Sequence, residues 1–274
     1  MKLATVRTPE GTRAVRVEAD HYVDLGYEDV RRLLEAPDWR ELVGSDGPTI
    51  PLETPLAAVV PEPGKVVCVG LNYRSHILEM GRDLPEHPTL FAKFADALIG
   101  PGDNIVAAPE SDMVDWEAEL VVVIGSTVRR ADAETAAEAI AGFTIMNDVT
   151  MRDWQFRTRE WLQGKTFDST TPLGPVLVTP DELPGGVNPV CTISTSVNGE
   201  VMQSADTSDL LFTPVKLVEY VSTMITLRPG DVIATGTPAG VGHARDPQVF
   251  LRAGDKVVTE ISGIGRLENS VVVR

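Results

Sequence analysis

The segment VDWEAELVVVIG, Val114 to Gly125, decides the fold class. Leu120 to Ile124 form an unbroken apolar run, mostly β-branched and closed by Gly125, which predicts a strand shielded on both faces. Side chains alternate along a strand, so Glu117 and Glu119 share one face while Trp116, Ala118 and Leu120 share the other. Two carboxylates then stand about 7 Å apart at their backbones, two strand rises, at the mouth of a buried element. Hydration at an emerging strand end would relieve their repulsion. A hard divalent cation bound from one face would do the same, provided that a third oxygen ligand comes from elsewhere in the chain.

Composition narrows what such a chain can be. With 274 residues, 43% of them hydrophobic, it can bury one large core plus a small appendage. A net charge of -16 disfavours binding to nucleic acid, which needs a concentrated positive surface. It leaves room for a small anionic substrate, because a bound cation inverts the local field. The start, MKLATVRTPEG, has no long apolar stretch and no later segment approaches a membrane span, so a soluble, cytoplasmic protein with no membrane partner is expected. Cys68 and Cys191 both lie in apolar strand-like segments and read as buried free thiols.

Outward from the acidic strand, the hydrophobic pattern predicts a mostly β domain with a few helices, of α+β class and without the alternation of a doubly wound sheet. LATVRT, TRAVRVEA and HYVDLG read as a small antiparallel unit, YEDVRRLLEA as a helix, and the proline-rich stretch from Ser45 to Pro63 as a linker. A small N-terminal domain, residues 1–60, and a larger domain, residues 61–274, follow from that linker. In the larger domain KVVCVGLNY, TLFAKF, NIVAA and FTIMNDVT read as strands, RSHILEM and ADAETAAEAIAGF as helices, and DWQFRTREWL as a helical candidate. PVCTISTSVNGEVM and DKVVTEISGIGRLENSVVVR read as hairpins turning at Asn198-Gly199 and at Gly263 to Gly265.

The third oxygen ligand is expected at Asp148, which closes the apolar run FTIMN. A strand, helix, strand order can bring its end beside Glu117 and Glu119, giving an all-oxygen site for magnesium, manganese or calcium. Arg152, Gln155 and Lys165 follow Asp148 and could bind a carboxylate or stabilise an enolate, although each cation taken alone also fits a surface position. Upstream, His76 and Glu79 sit at i and i+3 of a helical stretch, where a carboxylate can orient an imidazole as a base or form a surface ion pair.

The ordered set NYRSHILEM, VDWEAELVVVIG, MNDVTMRDWQ, GKTFD, VNGEVMQ and ATGTPAGVG resembles the fumarylacetoacetate hydrolase family across nearly all of residues 64–273. That resemblance implies a mixed β-sandwich roll, a cation held by Glu117, Glu119 and Asp148, and a homodimer. It further implies a lid helix carrying His76 and Glu79, Lys165 facing substrate, Arg152 and Gln155 lining the pocket, and Thr237 contacting the substrate carboxylate or metal-bound groups. Trp116, where the family often has tyrosine, and Trp154, in place of a smaller residue, depart from the pattern.

The chemistry expected first is hydrolysis of an acylpyruvate such as fumarylpyruvate. The 2-oxo acid would be chelated by magnesium, and His76 oriented by Glu79 would activate water. Decarboxylation of oxaloacetate, or isomerisation of a 2-hydroxyhepta-2,4-diene-1,7-dioate, uses the same electron sink. A cation-stabilised binding protein without turnover is the alternative from another class.

Overall fold

A computed structural model describes residues 1–79, 81 and 83–273, and gives the backbone but not the side chains of His76 and Glu79. The strand expected from the opening segment runs over Ala118–Ile124, and every residue in it is buried. Its neighbours explain why. Ile140–Asn147 pairs antiparallel on one edge, Val232–Ala234 antiparallel on the other, and both faces are covered. Leu120, Val122 and Ile124 enter one apolar core with Phe143, Ile193 and Leu267, whereas Val121 and Val123 enter a second with Leu33, Trp39 and Leu177.

The large sheet has eleven strands, and the acidic strand lies inside it. Most pairings are antiparallel, but Val66–Gly70 runs parallel to Val232–Ala234 and Leu98–Ile99 parallel to Thr171–Val178, which makes the sheet mixed. A five-stranded sheet built from the two C-terminal hairpins and Ile105–Ala107 packs across it. The hairpins turn where the sequence indicates, with Asn198 and Gly199 at positive φ in one and Gly263 and Gly265 in the other. Glycine and asparagine tolerate this region at little cost, so they fix the register.

The N-terminal meander Lys2–Thr8, Gly11–Val17 and His21–Asp24 joins the large sheet through antiparallel pairing of Lys2–Thr8 with Thr171–Val178. The short helices Val30–Leu34 and Trp39–Leu42 cover the second face of that sheet. The chain leaves the meander through the proline-rich stretch, which is not purely a linker: Thr49–Pro51 adds an edge strand against His21–Asp24. An edge position asks for hydrogen bonds on one side only, so prolines beside it are tolerated.

Two other helical readings change. The helix in ADAETAAEAIAGF is confined to Ala133–Glu138, capped by Asp132 accepting from the Thr135 amide, and the chain returns to strand at Ile140. At Gly142 a Cβ would stand 2.3 Å from the Val178 carbonyl, so that segment belongs to a closely paired strand. DWQFRTREWL is not one helix but lies across two short ones, Arg152–Gln155 and Leu162–Lys165. The longest helix, Pro214–Met224, was not expected from its β-branched residues, yet Val215, Val218, Val221 and Ser222 are buried at helical spacing and Pro214 occupies its first turn.

Candidate active site

Pairing of the two central strands builds the acidic site. Ala118 lies opposite Asn147, so Glu117 and Asp148 emerge side by side from adjacent strand ends. The Asp148 amide donates to the Glu117 carbonyl at 2.8 Å, and the Glu117 amide donates to Asn147 Oδ1 at 2.9 Å. Oxygens of Glu117, Glu119 and Asp148 lie within 4.8 Å of one another, all buried. The three residues singled out in the sequence are therefore one cluster, and the hydrated-strand alternative is excluded by burial.

Lys165 bridges two of the three, its Nζ donating to Glu117 Oε2 and to Asp148 Oδ2, each at 2.8 Å. Burial disfavours its charge, but Asp148 and Glu117 outweigh that and raise its pKa, so it stays an ammonium. Gly164 delivers it. A Cβ there would stand 2.5 Å from the Gln155 amide nitrogen and the Met151 carbonyl, so only glycine lets the helix Leu162–Lys165 press on Arg152–Gln155.

Arg152 is likewise buried and not a surface residue, at 5% exposure. Its Nε donates to Asp115 Oδ2 at 2.8 Å, one terminal nitrogen pairs with Glu117 at 2.7 Å, and the other donates to Gln155 Oε1 at 2.9 Å. Because a guanidinium only donates, the Gln155 carbonyl is turned to Arg152 and its NH2 is left for other acceptors. Gln203 Nε2 donates to Thr237 Oγ1 at 2.8 Å, which leaves the Thr237 hydroxyl hydrogen available.

Glu117, Glu119, Arg152, Gln155, Lys165 and Thr237 line one cavity of about 290 Å³, with Asp148 in the cluster at its floor. Phe91 and Trp161, packed edge to face at 5.4 Å, form an apolar part of its lining, with Lys165 Nζ over the Phe91 ring at 4.9 Å. The expected dyad is the part that geometry leaves open: the helix Arg74–Glu79 forms, but the side chains of His76 and Glu79 lie outside the described residues.

Three residues of the site were not singled out in the sequence. Lys93, at the end of a strand, donates to Asp148 Oδ1 at 2.7 Å. Asp115 holds Arg152, and His243 lines the cavity. A lone lysine closing the apolar run TLFA was the available signal for Lys93, and a third acid beside the E-x-E for Asp115. Cys68 lies on a neighbouring strand, and burial, then Asp148 and Glu119, push its thiol well above the usual range, which favours the neutral thiol.

The charges do not balance. Four carboxylates, Asp115, Glu117, Glu119 and Asp148, face three cations, Lys93, Arg152 and Lys165. The deficit falls on Glu119, which is 1% exposed, accepts from the Gly236 amide at 2.8 Å, and has no ion pair among the described residues. Burial, then Asp148 and Glu117, raise its pKa well above that of a free glutamate, whereas Lys165 and Lys93 hold Asp148 low against its burial. A buried all-oxygen cluster with an unpaired carboxylate fits a hard divalent cation held by Glu117, Glu119 and Asp148.

Residues 65–272 match the family model described as fumarylacetoacetate hydrolase, C-terminal. The chain belongs to that family. Within the fumarylacetoacetate hydrolase family it is 47% identical over 236 residues to "Oxaloacetate tautomerase FAHD2A, mitochondrial" of Bos taurus, an alignment covering 85% of this chain and 74% of the relative. A fumarylacetoacetate hydrolase from Exiguobacterium antarcticum shares the fold at a TM-score of 0.89 with 35% identity, all of both chains being covered. A 5-carboxymethyl-2-hydroxymuconate delta-isomerase from Mycobacterium smegmatis does so at 0.83 with 37% identity, over 100% of this chain and 99% of that one. These relatives carry the names of a tautomerase, a hydrolase and an isomerase, so the family establishes the scaffold and the residues of the cavity decide the reaction. None of the described helices is long and apolar enough to cross a membrane.

Proposed function

We propose that the chain is a divalent-cation-dependent enzyme acting on a 2-oxo dicarboxylate through its enolate, with keto-enol tautomerisation of oxaloacetate as its reaction. The observation that carries this reading is Lys165, a buried ammonium beside the acidic cluster, in a cavity that also presents Arg152, Gln155 and Thr237. Magnesium or manganese held by Glu117, Glu119 and Asp148 would supply Lewis acidity toward the carboxylate and 2-oxo oxygens.

The chain's own groups do the rest. Lys165 spends two N–H groups on Glu117 and Asp148, and its third is left for an oxygen that gains charge as the enolate forms. Arg152 spends three of its five N–H groups on Asp115, Glu117 and Gln155, and offers the others to a carboxylate. The apolar wall of Phe91 and Trp161 reduces the water around that charge, which strengthens both contacts. Tautomerisation moves one proton between C3 and the C2 oxygen and consumes no water, so the site needs no further reactant. The 47% identity to an oxaloacetate tautomerase over most of this chain favours this outcome over the hydrolysis expected first from the sequence.

Acylpyruvate hydrolysis is kept as a second reading because the helix Arg74–Glu79 that carries His76 and Glu79 is formed directly after the cavity residues Gly70 and Leu71. One experiment separates the two. Enol oxaloacetate mixed with protein and magnesium should lose its ultraviolet absorbance far faster than with magnesium alone, without release of carbon dioxide. An enol decay no faster than that magnesium blank, alongside cleavage of an acylpyruvate that falls about a hundredfold in His76→Ala, would replace tautomerisation by hydrolysis.

A further inference from the structure

His243 lines the same cavity as the acidic cluster but touches none of its three carboxylates. It lies in the short turn Gly242–Ala244 and is half-buried, beside the exposed Phe156 ring at 5.1 Å. The cavity therefore has a charged floor at Glu119 and Lys165, both 1% exposed, and a mouth at His243 and Phe156.

This turn is tied to the cluster. Asp115 accepts from the Gly242 amide at 2.6 Å and the His243 amide at 2.9 Å, and the same carboxylate accepts from Arg152 Nε at 2.8 Å. One buried carboxylate thus ties the guanidinium to the backbone of the turn that carries the imidazole.

The tautomer follows from Gln248. Its Nε2 donates to the His243 carbonyl at 2.8 Å and stands 3.1 Å from His243 Nδ1. A carbonyl only accepts, so the amide must present its NH2 there, and Nδ1 must accept from it. The ring proton then resides on Nε2. Burial, then Arg152, lower the His243 pKa against the pull of Asp115, which keeps the ring neutral with Nδ1 as an acceptor.

We propose that His243 is a specificity-determining residue that donates from Nε2 to the distal carboxylate of the bound 2-oxo acid, selecting dicarboxylates over monocarboxylates. This rests on the 2-oxo dicarboxylate reading above. With the 2-oxo and proximal carboxylate oxygens at the floor, the distal group of a four-carbon acid points toward the mouth, where His243 presents its Nε2 beside the further donors Arg152, Gln155 and Thr237 of the same cavity. Glutamine at this position keeps a donor of similar reach, whereas leucine removes it and retains the bulk.

The test uses oxaloacetate and 2-oxobutyrate, which differ only by a carboxylate in place of a methyl group. Binding to the magnesium-loaded protein is read by stopped-flow quenching of tryptophan fluorescence, since Trp161 lines the cavity. His243→Leu should weaken oxaloacetate by about tenfold or more, the range for a hydrogen bond to a charged group, and leave 2-oxobutyrate within about twofold. His243→Gln should restore most of the oxaloacetate affinity, which a packing role would not. Equal losses for both ligands in His243→Leu, or no loss for either, would overturn the assignment while leaving the oxo-acid site standing. A wild type that bound neither ligand would overturn both.

Discussion

Lys165→Met removes the ammonium that ties two buried acids together while keeping most of the side chain's volume. Lys165 is 1% exposed and its two contacts are both 2.8 Å, so the variant leaves Glu117 and Asp148, themselves buried, less compensated. Breaking a buried pair of this kind costs about 3–5 kcal/mol. Here the lower end applies, because Glu117 keeps Arg152 and Asp148 keeps Lys93. For a chain of this size about 3 kcal/mol corresponds to roughly 6–12 °C in Tm. Thermal unfolding in the presence of a chelator should show that deficit, and magnesium should shrink it, since a cation replaces part of the lost charge. Turnover should behave differently. Even at saturating magnesium, tautomerisation should fall by roughly a hundredfold to a thousandfold, the usual loss when one donor to a developing oxyanion is removed. A variant with wild-type Tm in chelator would refute the electrostatic argument, and one with near-wild-type turnover would refute the role in stabilising the enolate.

The raised pKa of Glu119 makes cation binding depend on pH. In the cation-free protein Glu119 keeps its proton where an unfolded glutamate has lost it, so stability falls as pH rises from about 4.3 through the raised folded value, opposite in sign to the depressed Asp148. Magnesium must displace that proton, and titration calorimetry at mildly acidic pH in buffers of different ionisation heat should show proton release and weaker affinity than at neutral pH; zero release would contradict the assignment. Gly70→Ala would place a Cβ 2.3 Å from the Trp161 ring, so it should cost about 1–3 kcal/mol by chemical denaturation and weaken 2-oxo acid binding while leaving magnesium affinity unchanged. Arg152→Lys should impair oxo-acid binding despite retaining the charge, because a single ammonium cannot reproduce the fork shared by Asp115, Glu117 and Gln155; undiminished binding would remove Arg152 from the ligand site.

What could be read from the sequence was whatever depends on local pattern. The run Leu120 to Ile124 is apolar on both faces because two cores meet there, and Asn198-Gly199 turns because those residues tolerate positive φ. The triad could be read because pairing of sequence-adjacent strands brings Asp148 beside Glu117. Lys93 stood out only as a lone lysine closing an apolar run, and its approach to Asp148 was hidden because it depends on Thr89–Lys93 pairing with Val66–Gly70 and on that strand's parallel pairing with Val232–Ala234. The helix Pro214–Met224 was obscured by its valines, whose strand preference is overridden by packing at helical spacing. His243 was hidden for a related reason: a lone histidine in a polar loop acquires meaning only when Asp115, far away in sequence, anchors its backbone next to Arg152.

In the proposed reaction the buried triad holds a divalent cation on which enolate chemistry depends. The most direct measurement is the rate of oxaloacetate enol-keto interconversion by chelator-treated wild type and Glu119→Gln, each followed as magnesium is added back, with the magnesium-only rate subtracted. Wild type should be inactive in chelator and recover along a saturating curve, while Glu119→Gln, which keeps an oxygen but loses a charge, should need far more magnesium and recover little. Full tautomerisation by wild type in excess chelator, or the same magnesium dependence in both proteins, would contradict it.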